Sequence, residues 1–149
     1  MTLFRRALAM AAEDVGLADP QALQIAVAAR EAFHVLGPPE GYLPLAQMVV
    51  YLATAPKSNS VYTAIAAAFE DAPASEPVPL HLRDASYRGA KQLGHGKGYR
   101  YPHDFPGHAV EQDYRPPTLS DRRYYVASGQ GDDVAREPGT GRPIDDDRA

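Results

Sequence analysis

The stretch that decides the fold is LAQMVVYLATAPKSNSVY, residues 45–62. Leu45, Ala46, Met48, Val49, Val50, Leu52 and Ala53 fall on most sides of a helix and do not alternate as a strand would. A helix that is apolar nearly all round belongs in the middle of a core. This predicts a central helix over about 43–55, with Val49 buried. Pro56 ends it, because proline brings no N–H to the helical ladder. Ser58 or Asn59 can then cap a further helix over about 58–71, whose Val61, Ile65, Ala68 and Phe69 share one face. Tyr62 can pack back over the turn. Pro56, Lys57, Ser58, Asn59 and Tyr62 thus read as a structural helix–turn–helix corner, with ligand contact by Asn59 as the alternative.

Working back toward the start, Phe4, Leu8, Ala11 and Val15 mark one face of a helix over 2–15, and Gly16 is placed to stop it. Asp19 and Pro20 suit the first turn of a second helix, whose stripe runs Ala22, Ala26, Ala29, Phe33 and Leu36 until Gly37-Pro38-Pro39. Short connections and alanine-rich faces favour close antiparallel packing. The expected class is all-α, a compact helical domain.

Beyond residue 72 the character changes. Nine of the fourteen prolines and six of the nine tyrosines lie there. The span 72–126 is expected to be an ordered irregular arm with short helices in 81–93, Ser86 being a candidate cap. Its tyrosines supply apolar area that a disordered linker would lack. Residues 127–149 are Gly-, Asp-, Arg- and Pro-rich and are expected to form a disordered acidic tail.

The net charge is −4 and unevenly placed. Lys and Arg against Asp and Glu number four to seven in 1–72, eight to six in 73–126, and three to six in 127–149. General nucleic-acid binding is therefore disfavoured, while a local basic patch stays open. Arg83, Arg88, Lys91, Lys97 and Arg100 lie close together, interleaved with Tyr87, Tyr99 and Tyr101 and opposed only by Asp84. Such a pattern suits phosphates and stacked bases. It equally suits pairing with acidic groups of the helical half or of a neighbouring subunit.

The chain has no cysteine, which excludes disulfides and thiolate metal sites and fits a reducing cytoplasm. No apolar run reaches about 18 residues, so no membrane span is expected, and no signal peptide is seen at the start. There is no phosphate loop of the G-x-x-x-x-G-K-[ST] kind. Gly94-His95-Gly96-Lys97-Gly98 lacks the Ser or Thr after its lysine and reads as a turn. His34, His81, His95, His103 and His108 show no i, i+4 pair, so no metal site is expected. Glu13-Asp14 stands near a helix end with no nucleophile in view.

Several motifs in fixed order together resemble a known family. They are Ala12-Glu13-Asp14-Val15-Gly16-Leu17-Ala18-Asp19-Pro20; Leu45-Ala46-Gln47 followed by Tyr51-Leu52-Ala53 and Ala55-Pro56-Lys57-Ser58-Asn59 with Tyr62; Val78-Pro79 with His81-Leu82-Arg83; Gly94, Gly96, Gly98-Tyr99, Tyr101-Pro102-His103-Asp104; and Arg122-Arg123-Tyr124-Tyr125. The chain resembles the C-terminal region of the replication-associated recombination protein A (MgsA, Werner helicase-interacting protein) family of AAA+ ATPases.

That resemblance implies a helical collar like that of clamp loaders, homotetramer assembly and work at stalled replication forks in recombination and repair. It also implies a nucleoid-associated cytoplasmic setting. Implied partners are single-stranded or junction DNA, a single-stranded DNA-binding protein and a helicase. ATP and Mg would bind the ATPase module that precedes this part in full-length members. That module is not in the sequence, so no cofactor and no catalysis are expected of this chain. The chain departs from the family in its acidic Gly/Pro-rich tail, where many members continue with a further helix.

Overall fold

The structure is a computed structural model and describes residues 2–72, 76–137 and 142–144. It falls into two compact units, Met1–Phe69 with Tyr124–Ala135, and Glu70–Arg123 with Arg136–Ala149. Among the described residues there is no strand, only isolated bridges at Gln130–Asp133 and Arg136–Pro143. The all-α expectation holds.

The first unit carries four helices: α1 (Thr2–Met10), α2 (Gln21–Leu36), α3 (Tyr42–Thr54) and α4 (Ser60–Asp71). α1 runs into a wider π-type turn over Ala11–Val15 and then a tight turn over Gly16–Ala18. The first helix is therefore shorter than the apolar period suggested. Its stripe nevertheless continues through the turn: Phe4, Ala11 and Val15 are buried, Leu8 is partly buried, and Ala7 is buried beside them. Facing them are Ala22, Ala26 and Ala29 of α2 and Met48 and Leu52 of α3. Alanines let the helix axes approach closely. Phe4 meets Phe33 edge-to-face with ring centroids 5.4 Å apart.

Asp19 does the work expected of it at the start of α2. Its Oδ1 accepts from the Gln21 N–H at 3.0 Å, and its Oδ2 accepts from the Tyr51 hydroxyl of α3 at 2.6 Å. That bond, partial burial and the Asp19 and Asp132 charges all raise the Tyr51 phenol above its ordinary value.

α3 is not the central helix that its composition predicts. Only Met48 and Leu52 are buried; Val49 is 49 % exposed, Val50 63 % and Leu43 76 %. On α4, only Ser60 is buried, while Val61, Ile65 and Phe69 all stand exposed. Sequence period identifies an apolar face, but not what covers it.

The second unit consists of short 3-10 turns at Leu80–Leu82, Ala90–Leu93, Pro102–Asp104, Pro106–His108 and Pro117–Leu119. Side chains bonding to backbone hold it together. His81 Nε2 donates to the Asp113 carbonyl at 2.7 Å. Gln112 accepts from the Arg100 N–H and donates to the Arg100 carbonyl, both at 3.1 Å. Ser86 does not act as a helix cap: its N–H and hydroxyl both donate to Asp84, each at 2.9 Å. Those two bonds hold the Asp84 carboxyl below its ordinary value, against a small opposing effect of burial and with help from His95.

The expected disordered tail does not begin at residue 127. Tyr124–Ala135 belongs to the first unit, and Asp133 is 1 % exposed. Of the remaining tail, 138–141 and 145–149 lie outside the described residues.

Candidate functional site

The corner predicted from residues 56–62 is present, but its parts take different roles. The Lys57 ammonium turns back on α3 and donates to the carbonyls of Leu52 at 2.8 Å and Ala55 at 2.5 Å. A cation there satisfies the free carbonyls of a helix C-terminus and complements its dipole. Ser58 is buried: its N–H donates to the carbonyls of Asp14 (2.9 Å) and Val15 (3.2 Å), and its Oγ accepts from the Ser60 N–H at 3.2 Å. Capping at α4 is thus done by the Ser58 hydroxyl, while Asn59 contributes its carbonyl to the Thr63 N–H. The Asn59 side chain is exposed, beside a cleft of about 570 Å³ lined also by Met10, Asp14, Lys57, Ser128 and Gln130. Tyr62 is exposed.

Gly16 explains why the Glu13-Asp14-Val15-Gly16 and Pro56-Lys57-Ser58-Asn59 motifs go together. Its φ is +53°, and a Cβ there would collide with the Ser58 carbonyl. Only glycine allows the two segments to approach this closely.

The residue that sequence reasoning missed is Asp133. Its Oδ2 accepts from Ser58 Oγ at 2.5 Å, Ser128 Oγ at 2.7 Å and the Ser128 N–H at 3.1 Å, and its Oδ1 accepts from the Tyr125 hydroxyl. Burial on its own would raise this carboxyl. The hydrogen bonds from Ser58, Tyr125 and Ser128, with a further effect of nearby Ser60, outweigh it and hold the group well below the usual carboxylate range. Ser60 Oγ is itself buried without a hydrogen-bond partner among the described residues. Nearby, the Asp132 N–H donates to the Ala18 carbonyl at 2.9 Å. Gly131, at φ +53°, lies where a Cβ would meet that carbonyl and the Pro56 ring. The Asp133 carboxylate thus ties the late segment to the Ser58 corner, and the Asp132 N–H ties it to the turn at Ala18. The available signal was the Gly129-x-Gly131 turn after two tyrosines, with both glycines at positive φ.

The five cations of 83–101 do not form one surface set. Arg83 Nε donates to the Val78 carbonyl at 2.7 Å. Arg100 donates to the Glu111 carbonyl at 3.0 Å and lies over the Phe105 ring at 4.7 Å. Both are pinned by their own unit. Arg88, Lys91 and Lys97 are exposed and form no ion pair among the described residues. Tyr99 and Tyr101 are exposed as well, whereas the Tyr87 hydroxyl shares a 2.8 Å hydrogen bond with His95 Nδ1. No group of three metal-ligating side chains occurs among the described residues, and none of their helices is long and apolar enough to cross a membrane.

The family model for the C-terminal part of the MgsA AAA+ ATPases matches residues 1–137. The chain is 50 % identical over 129 residues to an AAA domain-containing protein of Mycobacterium tuberculosis, covering 85 % of this chain and 28 % of that protein. It is 48 % identical over 130 residues to the replication-associated recombination protein A of Escherichia coli, covering 85 % of this chain and 29 % of the relative. Identity to the Bacillus subtilis protein of the same name is 44 % over 132 residues, 87 % of this chain and 31 % of the relative. The chain thus spans about three tenths of the length of these relatives.

Proposed function

The chain belongs to the MgsA AAA+ ATPase C-terminal family, and from that premise we propose that it is an oligomerisation domain, assembling as a homotetramer in the manner of a clamp-loader collar. In this reading it brings together the copies of an ATPase that serves replication-fork maintenance, recombination and repair. The observation that carries the reading is the apolar surface left on α3 and α4. Leu43, Val49 and Val50 of the one and Val61, Ile65 and Phe69 of the other are at least two-fifths exposed. Burying such a side chain stabilises by about 1.5–3 kcal/mol, so a cluster of them favours association with a matching surface. An apolar groove of about 210 Å³, lined by Ala28, Ala32, Pro44 and Gln47 among others, offers a receiving surface on α2 and α3. Identical copies can cover such patches within a closed symmetric assembly. Light scattering after size exclusion tests this: Val50→Asp and Phe69→Asp should give monomers with wild-type circular dichroism. Assembly unchanged in both would refute it.

A second reading, supported by Arg88, Lys91 and Lys97, which form no ion pair among the described residues, is a DNA-binding module in the second unit. Under it, single-stranded or junction DNA is the ligand, and a single-stranded DNA-binding protein or a helicase is the protein partner. ATP and Mg have no place in either reading of this chain.

A further inference from the structure

Residues 100–114 hold a small knuckle that the assembly reading does not use. The rings of Tyr101, His103 and His108 follow one another in series, with centroids 5.0 Å apart and planes tilted by 49° for the first pair, and 4.7 Å and 51° for the second. All three residues are exposed. His108 reaches this place at φ +54°, the one non-glycine residue with positive φ among those described, directly after Gly107 at φ +69°. A histidine held there costs backbone energy, and such costs persist where the surrounding structure imposes them. The base of the knuckle is braced by Gln112 on both backbone groups of Arg100, and by Arg100 on Phe105 and Glu111. The braced, strained part thus presents rings to solvent rather than burying them.

We propose that the exposed Tyr101–His103–His108 ring cluster is a platform on which unpaired bases of single-stranded DNA stack. This rests on the DNA-binding reading of the second unit and gives it a base-contacting element. Two imidazoles without a third ligand make an incomplete metal site. Exposed rings in series, by contrast, match the π-faces that every base presents. Asp104, exposed next to His103, disfavours a phosphate at the rings and leaves their faces to bases. The backbone phosphates fall to Arg88, Lys91 and Lys97 of the same unit.

The test is a fluorescence-anisotropy titration of the full chain with labelled oligothymidylate of about 20 nucleotides, at several salt concentrations starting near 20 mM. The ring variants are Tyr101→Ala, His103→Ala and His108→Gly. The last relieves the positive φ while removing the ring, so it keeps the fold. Each should weaken binding about tenfold with an unchanged salt slope, and Tyr101→Phe should bind as wild type. Changing Arg88, Lys91 and Lys97 together to Ala should instead reduce the slope by about 2. If wild type binds and the ring variants bind equally well, the stacking inference is overturned while the DNA-binding reading stands. If wild type does not bind at the lowest salt, both fall.

Discussion

Asp133→Ala is the perturbation that most sharply tests how the first unit is closed. The substitution removes a carboxylate that is 1 % exposed and accepts from two serine hydroxyls, one backbone N–H and one phenol. A hydrogen bond to a charged group contributes about 1.5–3 kcal/mol, and such bonds in one network do not add fully. Ser58 Oγ would lose its acceptor inside the core, beside Ser60 Oγ, which already lacks a partner among the described residues. The loss should be about 3–5 kcal/mol, a large part of a stability of about 5–15 kcal/mol. For a chain of this size that lowers Tm by roughly 6–20 °C. Because folding depresses the Asp133 carboxyl, its contribution is complete above the ordinary carboxylate value of 3.8 and is lost as pH falls below it. Wild type should therefore lose stability in acid more steeply than Asp133→Asn. Circular dichroism melts at pH 7 and across acid pH make the measurement, with Glu31→Ala, at an exposed pair with Arg30, as a control expected within about 0.5 kcal/mol. An Asp133→Ala Tm within about 2 °C of wild type would refute the reasoning.

Three further outcomes are expected. Gly131→Ala should destabilise by about 1–3 kcal/mol in urea unfolding, since φ is +53° and the new Cβ meets the Ala18 carbonyl and Pro56. Val49→Asp, which the sequence alone would make an unfolding mutation, should change the single-chain Tm little because Val49 is half exposed; light scattering should instead show loss of assembly. Calorimetry and a phosphate-release assay should find neither ATP binding nor hydrolysis by this chain, which has no phosphate loop.

Much of the first unit was legible because its helices are punctuated by residues with one strong local meaning. Gly16, Asp19-Pro20, Gly37-Pro38-Pro39 and Pro56 each stop or start the chain where their backbone chemistry requires. The depth of α3 was not legible. A helix apolar all round reads as central, yet Leu43 and Val50 face outward, because composition is blind to whether covering atoms belong to the same chain. Asp133 was illegible for a related reason. In an acidic, Gly-rich segment a carboxylate has no pattern to set it apart until Ser58, 75 residues earlier in the chain, donates to it. In the second unit the sequence singled out five cations by proximity. It could not show that Arg83 and Arg100 turn to carbonyls while the three others form no ion pair among the described residues.

Sedimentation equilibrium of the wild-type chain at about 100 μM tests the central claim most directly. With a protomer of 16.1 kDa, the account predicts a mass four times that value, independent of salt because the covering contacts are apolar. A protomer mass at that concentration, with Leu43, Val50 and Phe69 left in water, would contradict it.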